Sequence, residues 1–239
     1  VIDNYMDIFL TDTDEVKRLP LFDEDYLAPP VLSEHGLCLF ITIYDGPEKH
    51  YLLLDAGFTK VGCIYNMDVM KLPTERVEAF VLSHGHIDHM GALYDLYSKN
   101  YLRKGTPLHI HSKAFSERGL KDPSGGLHRL PQVSESTLKE KGAEIIIEDG
   151  PSLLLDQTCL LTGEIPRRSF EIGFPIGWRK ENGKVIRDDI PDDQALIFHI
   201  KGKGLVVVLG CGHSGVINTI NYAKELSGCN KIYMVFGGF

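Results

Sequence analysis

Short apolar runs rich in β-branched residues recur through the first half of the chain. Each run is bounded by glycine or proline, which predicts buried strands. These runs are 37–46, 50–57 and 77–85. The polar turn "GPEK" joins the first two runs and predicts a β-hairpin. Beyond the third run, Leu93, Leu96 and Tyr97 share one face at helical spacing, so a helix is predicted over residues 90–100.

Strand character returns in the second half of the chain, between polar and charged stretches. The predicted strands are 107–112, 143–149, 152–165, two within 194–212, and 231–238, and the predicted helices fall within 134–143 and 215–228. The segment 166–193 is charged and interrupted by prolines, which favours a long loop or lid rather than a separate domain. A single α/β domain is therefore predicted over residues 1–239.

Composition narrows the function classes. Hydrophobic residues make up 43% of the chain, enough for a substantial core, and the net charge is -8 with lysine and arginine scattered, which argues against a nucleic-acid partner. The five cysteines contain no C-x-x-C pair and predict reduced thiols in a cytoplasmic protein. No apolar run has the length of a membrane span, so no membrane partner is predicted. Both ends of the sequence are expected to be truncated, so the absence of a targeting signal is weak evidence about the compartment.

The densest cluster of chemically active residues is "SHGHIDHMG", directly after the third apolar run. His84, His86, Asp88 and His89 place four potential metal ligands within six positions. A loop at the carboxyl end of a buried strand splays alternate side chains into one cleft. His84 and His86 are therefore predicted to reach one metal ion, and Asp88 and His89 a neighbouring position. A solvated polar loop is the alternative, and four potential ligands in so short a span argue against it.

His-x-His-x-Asp-His after a strand resembles the metallo-β-lactamase superfamily, and the strand "LLLDAG" with Asp55 looks like the one that precedes this motif there. Weaker motifs are similar to one subfamily, the β-lactamase-like metal-dependent hydrolases that include the dihydropterin–ribofuranosylaminobenzene phosphate synthases. They are "VIDN", "EHGL", "TGEIPR", "GCGHSG" and "VFGGF". The resemblance implies the α/β (α+β) class and an αββα sandwich, two mixed β-sheets flanked by helices. It also implies a one- or two-metal site along the edge between the sheets.

Further ligands are expected in later loops. His213 follows an apolar strand and precedes a predicted helix, as the first cluster does, and the resemblance implies that it completes the first metal site. Capping of the helix is the alternative role. Cys211, in the same loop, is a candidate ligand of the second metal or equally a buried inert thiol. The resemblance also implies a second-metal histidine directly after Phe239.

Three residues are candidates for substrate binding. Arg167 and Arg168 stand near the start of the 166–193 segment, where an arginine fork can bind phosphate or carboxylate. A solvated charge pair balanced by nearby glutamates is the alternative. His35, in "EHGL", gains weight from the subfamily resemblance, with Glu34 as the carboxylate that would orient it.

The 166–193 segment holds two more features of interest. Asp192 and Asp193 precede a strand, and solvent exposure is favoured over a place in the metal cleft. Phe170, Phe174 and Trp178 are predicted either to form an apolar lid over a flat heterocycle or simply to pack the loop down.

These residues favour a metal-dependent hydrolase that uses a metal-activated water on an ester or phosphoester of a small, optionally phosphorylated molecule. One or two divalent ions are expected, zinc first, with manganese, iron or magnesium as alternatives. Asp88 and His213 are the predicted catalytic residues, with Asp88 orienting the nucleophile or accepting its proton. The resemblance implies an alternative, a transferase that condenses a dihydropterin diphosphate with an arylamine as in methanopterin biosynthesis. A non-catalytic or redox di-metal binding protein is the alternative from another class.

Overall fold

The structure is a computed structural model that describes residues 1–3, 10–20, 22–23, 26–171 and 173–238. Within these residues the strands are, in chain order, β1 (Phe22–Asp23), β2 (Tyr26–Leu27), β3 (Leu39–Asp45), β4 (Glu48–Leu54), β5 (Ala79–Val81), β6 (Pro107–Ile110), β7 (Arg118–Lys121), β8 (Leu127–Arg129), β9 (Glu144–Ile147), β10 (Ser152–Leu154), β11 (Cys159–Leu161), β12 (Gly177–Glu181), β13 (Lys184–Arg187), β14 (Ala195–Ile200), β15 (Gly204–Leu209) and β16 (Ile232–Phe236). The helices of the same residues are α1 (Lys60–Val69), α2 (Ile87–Met90), α3 (Leu93–Ser98), α4 (Glu135–Lys141) and α5 (Val216–Ser227), with 3-10 turns at Thr74–Arg76 and Ser112–Phe115.

A sheet with the strand order β3-β4-β5-β6-β9 is built from the first half of the chain. β3 and β4 form the predicted hairpin, in which Leu39 pairs with Leu54 and Asp45 with Glu48. The other neighbouring strands run parallel. Their carboxyl ends therefore meet at one edge of the sheet, and the loop after β5 carries the histidine cluster to that edge.

A second sheet has the strand order β10-β11-β14-β15-β16. Its neighbours are antiparallel, except for the parallel pair β15 and β16. Two parallel neighbours need a crossover, which α5 supplies. The loop that enters α5 carries His213 and starts at the carboxyl end of β15.

The two sheets pack against each other through alternating side chains. Leu52 and Leu54 of the first sheet share a buried cluster with Leu196 and Phe198 of the second. Successive strand residues point to opposite faces, so the intervening Leu53 enters a different core, between the first sheet and its helices. This layering confirms the predicted αββα sandwich.

Helices cover the two outer faces of the sandwich. Cys63 of α1, Leu93 of α3 and Leu138 of α4 pack in one buried cluster with Phe80 of β5. Ala223 of α5 packs with the outward-facing residues of β14 and β15. Across the described part of the chain, no helix has the length and apolarity needed to cross a membrane.

A smaller antiparallel sheet with the order β13-β12-β7-β8 lies in segments whose pattern predicts no strands. The "DPSGG" stretch closes the turn between β7 and β8. β12 and β13 form a hairpin inside 166–193, so that segment is not a continuous loop. These strands are missed because charged residues occupy half of their positions and leave no regular alternation of apolar and polar side chains. A lid role for the segment stays a prediction, as does the single domain.

Candidate metal centre

Three histidines from the two sandwich sheets converge on one point. His84 and His86 follow β5, and His213 follows β15. The ring centroids of His84 and His86 lie 4.7 Å apart, and that of His213 lies 4.8 and 4.9 Å from them. One ligand nitrogen of each lies within 4.8 Å of the other two, which suits a single metal ion. The structure therefore brings together the histidines of the two separate motifs.

Two of these imidazoles have a buried nitrogen with no protein partner. His84 is fully buried, and neither its Nε2 nor Nε2 of His213 has a hydrogen-bond partner among the described residues. A buried polar atom left without a partner costs about 1–3 kcal/mol, so two such atoms facing one point call for an explanation. A metal ion accepts lone pairs from both nitrogens, and the donor set therefore fits a metal.

The protonation states of these histidines suit metal binding. Burial lowers the pKa of His84 well below its usual range, with further contributions from the neighbouring imidazoles. Burial and the positive charge of Arg118 lower the pKa of His86 to about 4. Burial and the nearby His86 lower the pKa of His213 to about 3. All three rings are therefore neutral at pH 7, the form in which imidazole ligates metals.

The buried carboxylate of Asp55 orients His89 directly and His84 through the hydroxyl of Ser83. Oδ2 of Asp55 lies 2.5 Å from Nδ1 of His89 and accepts a 2.7 Å hydrogen bond from the hydroxyl of Ser83. The Ser83 hydroxyl also lies 2.9 Å from Nδ1 of His84. Since this hydroxyl donates to Asp55, it accepts from Nδ1–H of His84. His84 thus holds its proton on Nδ1, which leaves its Nε2 free to bind a metal, and Nδ1–H of His89 donates to Asp55.

A second ligand group lies beside the first. Nε2 of His89 is 3.0 Å from Sγ of Cys211 and 3.3 Å from Oδ2 of Asp88. Cys211 and Asp88 are themselves 3.8 Å apart, and Nε2 of His35 lies 3.3 Å from the same Asp88 oxygen. An imidazole, a thiol and a carboxylate at these distances are suitable ligands for a second ion. The predicted ligand after Phe239 lies outside the described residues.

The charges of this second group differ from those of the first. Burial acts to lower the pKa of His89, but the Asp55 carboxylate and hydrogen bonds to Asp88 and Cys211 raise it well above its usual range. Burial acts to raise the pKa of Asp88, but the hydrogen bond and charge of His89 hold it well below its usual range. A metal ion at this position must therefore displace a proton from His89, whereas Asp88 is already ionised.

The contacts of His35 differ in part from those predicted. His35 lies against Asp88 in the second ligand group, close to the predicted site. Glu34 does not orient it as expected: its carboxylate accepts hydrogen bonds from the backbone of Phe58 and from the backbone and hydroxyl of Thr59. The Glu34 carboxylate therefore accepts hydrogen bonds at the start of α1, where Thr59 is the N-cap.

Asp192 and Asp193 are buried, so the expectation that they are solvent-exposed is wrong. Their exposed fractions are 0% and 1%. Asp192 is compensated by Arg118, whose two terminal nitrogens lie 2.7 and 3.1 Å from its carboxylate oxygens. Arg118 is itself 1% exposed, and charged side chains are rarely so buried unless they are paired. The pairing joins residues 74 positions apart, which no local pattern reveals.

The three aromatic residues of 166–193 separate into different environments. The Phe174 ring centroid lies 5.7 Å from that of His86 and 5.5 Å from that of His213, so it covers the metal centre. Trp178 is buried and donates a hydrogen bond from Nε1 to the carbonyl of Leu120, so it packs the smaller sheet together. Phe170 is 84% exposed. Of the two predicted roles, covering the site therefore suits Phe174 and packing suits Trp178.

Arg167 and Arg168 do not form a fork with a shared partner. Arg167 donates to the backbone carbonyls of Asp189 and Ile190. Arg168 forms a 2.8 Å ion pair with Glu225 of α5, between side chains that are 67% and 54% exposed. Arg167 also lines a cavity of about 630 Å³. The other lining residues are Asp149, Gly150, Glu164, Ile165, Pro166, Arg179, Asp189, Pro191 and Tyr222.

Sequence reasoning misses two residues that organise the centre. Ser83 directly precedes the histidine motif, so its position next to His84 is the one available signal. Arg118 lies in a polar segment without periodicity, and its role depends on a contact made only in the folded chain. The spacing of residues along the chain does not predict ion pairs between residues so far apart in the sequence.

The chain resembles known proteins in sequence and in structure, although no family model matches it. It is 30% identical over 226 residues to 7,8-dihydropterin-6-methyl-4-(beta-D-ribofuranosyl)-aminobenzene-5'-phosphate synthase of Methanocaldococcus jannaschii, covering 90% of this chain and 74% of that protein. It is 30% identical over 207 residues to protein MJ0448 of the same organism, covering 87% and 73%. The solved structure of Tm1679, a metal-dependent hydrolase of the beta-lactamase superfamily, matches with a TM-score of 0.66 at 24% identity, over 87% of this chain and 71% of that one.

Proposed function

Since the chain belongs to the metallo-β-lactamase superfamily, in the subfamily that includes the dihydropterin–ribofuranosylaminobenzene phosphate synthases, we propose that it is a metal-dependent hydrolase of small-molecule esters or phosphoesters. The observation that carries this proposal is the convergence of three neutral imidazoles at the sheet edge, two of them with unpartnered Nε2 atoms. Scattered histidines with protein partners would not call for a metal. The five cysteines are free thiols, including Cys38 and Cys63, whose sulfurs lie 3.6 Å apart, and reduced thiols support the cytoplasm as the compartment.

His84, His86 and His213 would hold one ion, and His89, Asp88 and Cys211 a second. When bound, a divalent metal supplies Lewis acidity, which polarises a substrate oxygen and lowers the pKa of water to about 7. Zinc suits a set of imidazole, carboxylate and thiolate ligands, whereas magnesium and manganese prefer oxygen ligands, and iron remains an alternative.

Asp88 and Phe174 have separate roles in this proposal. Asp88 is ionised because His89 holds its pKa low, so its carboxylate would orient the attacking water, whereas the low pKa makes it a weak acceptor for the proton of that water. The Phe174 ring lies over His86 and His213 and limits the access of bulk water. Residues 166–193 would then act as the lid of the site, and Arg167, which lines a cavity in this segment, would bind an anionic part of the substrate.

A second candidate is favoured by the relative from M. jannaschii, whose name describes a synthase. In this alternative the chain transfers a dihydropterin group from its diphosphate to an arylamine and releases diphosphate. The same ligands would hold the metal, and Arg167 or Arg168 would contact the departing diphosphate. A redox di-iron centre is the candidate from a different class.

Metal analysis and paired assays separate these candidates. The purified chain is loaded with zinc, manganese or iron and given an aryl phosphodiester, an aryl ester, or a pterin diphosphate with and without an arylamine. Ester or phosphodiester hydrolysis supports the hydrolase, and diphosphate release that depends on the arylamine supports the transferase. Two redox-active irons without turnover of any substrate would support the redox centre.

The histidine assignment has its own control. His84→Ala should lose both the metal and the activity, whereas His199→Ala, in β14, should retain both. If His84→Ala keeps full metal content and activity, the metal centre is assigned to the wrong residues.

A further inference from the structure

Two consecutive aspartates contact the backbones of the two loops that carry the candidate ligands. The first histidine loop follows β5 and holds His84 and His86, and the second histidine loop follows β15 and holds His213. Oδ2 of Asp192 accepts a 2.8 Å hydrogen bond from the amide of Gly85, the residue between the two histidines of the first loop. Oδ2 of Asp193 accepts a 2.6 Å hydrogen bond from the amide of Ser214, directly after the histidine of the second loop. These loops leave different sheets of the sandwich, so residues 192–193 bridge them at the point where the ligands meet.

Arg118 fixes this bridge to the smaller sheet. Its guanidinium pairs with Asp192 and also donates a 3.0 Å hydrogen bond to the carbonyl of Lys113. That carbonyl lies in the turn that packs on the first histidine loop: a β-carbon on Gly85 would lie 2.4 Å from the carbonyl oxygen of Ala114. A single buried cation therefore holds both the aspartate and the turn against which Gly85 is packed.

The turn at residues 188–193, which places the two aspartates, has an unfavourable backbone conformation at Ile190. Ile190 has φ of 52°, which is rare for a β-branched residue, and it is fully buried. Its amide donates to the carboxylate of Asp188 at 2.9 Å, and its carbonyl accepts from the amide of Asp193 at 3.1 Å. Such strain persists only where the surroundings over-determine it, as they do at functional sites.

We propose that Asp192, anchored by Arg118, and its neighbour Asp193 are positioning residues that set the separation between the first histidine loop and the second. They act through backbone amides and do not ligate the metal themselves. This inference rests on the proposed metal centre. It assigns a function to two carboxylates and an arginine that the ligand motifs do not include.

The chain offers a matched control for Asp192. Arg118 has a second carboxylate partner, Asp188, at 3.4 Å from its Nε, and Asp188 makes no contact with either histidine loop among the described residues. Asp192→Asn and Asp188→Asn each remove one charge from the same arginine. Zinc affinity is measured by competition with a chromogenic chelator, the visible absorption of the cobalt-substituted protein reports ligand geometry, and urea unfolding reports stability.

In Asp192→Asn one oxygen that accepts from Arg118 becomes an NH2 group, so a donor faces a donor and the anchor is lost; zinc binding should weaken by about 10- to 100-fold and the cobalt spectrum should change. Asp188→Asn keeps an amide oxygen that can still accept the hydrogen bond from Ile190, so the turn is retained, and the zinc affinity and the cobalt spectrum should stay unchanged even where stability falls. Equal changes in both variants would overturn the proposal. A wild-type chain that binds neither zinc nor cobalt would instead refute the metal centre itself.

Asp193 is tested by rescue. Asp193→Ala removes the acceptor of the Ser214 amide and should weaken zinc binding, whereas the amide oxygen of Asp193→Asn can accept the same hydrogen bond and should restore it. If both variants bind zinc as the wild type does, Asp193 is not a positioning residue. This pair decides the question where Asp192→Asn does not fold.

Discussion

Oδ2 of Asp55 lies 2.5 Å from Nδ1 of His89, in a position where neither side chain is exposed to more than 1%. The same carboxylate oxygen accepts the Ser83 hydroxyl, which in turn lies against Nδ1 of His84. One buried charge therefore orients a histidine in each of the two ligand groups. Asp55 has φ of 60°, so the backbone too is held in an uncommon conformation to place this carboxylate.

Asp55→Asn should weaken both metal positions, because the amide cannot hold both imidazoles in the required tautomer. An affinity loss of about 10- to 100-fold is expected at each position. Ser83→Ala is the matched control: it removes the 2.9 Å contact with His84, whereas the Ser83 hydroxyl lies 3.5 Å from Nδ1 of His89, so the variant should weaken chiefly the first position. Metal content after dialysis against buffered zinc measures both. Equal losses in the two variants would contradict separate support of the two histidines.

Phe174→Ala should speed the removal of zinc by a chelator several-fold, because the ring that covers His86 and His213 controls solvent access to the metal. Stopped-flow mixing of the zinc-loaded chain with a coloured chelator gives the rate. Phe170→Ala is the control, since that ring is 84% exposed and should not change the rate. Identical rates of zinc removal in both variants would show that the Phe174 ring does not control solvent access to the metal.

Asp193 should make the metal-free chain less stable as the pH rises. Burial raises the pKa of Asp193 from 3.8 to about 6, so the folded state holds a proton that the unfolded state releases at lower pH. This contribution to the free energy of unfolding is complete below pH 3.8 and is lost as the pH rises through about 6. The loss amounts to about 3 kcal/mol by pH 7.

Asp193→Asn should therefore unfold at higher urea concentration than the wild type at pH 7, with the difference shrinking toward pH 4. Urea titrations of the zinc-free chains at both pH values measure it. Asp189→Asn removes an exposed carboxylate that is paired with Arg187 and should shift stability by less than about 1 kcal/mol at either pH. A difference for Asp193→Asn that does not depend on pH would contradict the raised pKa.

The sequence predicts which histidines come together better than it predicts the residues that support them. His84 and His213 leave strands of different sheets, so their convergence is predicted from their shared strand–loop–helix context together with the family resemblance, and not from the geometry of one sheet. The burial of Asp192 does not follow, because composition favours exposure of a charge and the partner Arg118 lies far away in the chain. The small sheet is missed for a related reason: charged residues interrupt its short strands, and the burial of Trp178 against the neighbouring strand depends on strand pairing that no local pattern reveals.

Gly210 lies so close to the first histidine loop that a side chain at this position should lower both the stability and the zinc binding of the protein. A β-carbon at Gly210 would lie 2.2 Å from the Ser83 hydroxyl oxygen and 3.3 Å from Nδ1 of His84. Gly210→Ala must therefore push Ser83 out of its hydrogen bonds to Asp55. The variant should lose about 1–3 kcal/mol of stability, as overpacked sites do, and should also bind less zinc at the first position.

Gly150→Ala separates these effects from the general effect of replacing a glycine. A β-carbon at Gly150 meets no atom within 4 Å, so this variant should keep the zinc content of the wild type and unfold at nearly the same urea concentration. Urea unfolding of the zinc-free chains gives the packing cost, and metal analysis of the loaded chains gives the occupancy. A Gly210→Ala chain that loses stability but binds zinc fully would show that the Ser83 contact supports the fold without orienting His84. Loss of both properties in that variant alone is the expected result, because the same hydroxyl contacts the carboxylate and the imidazole.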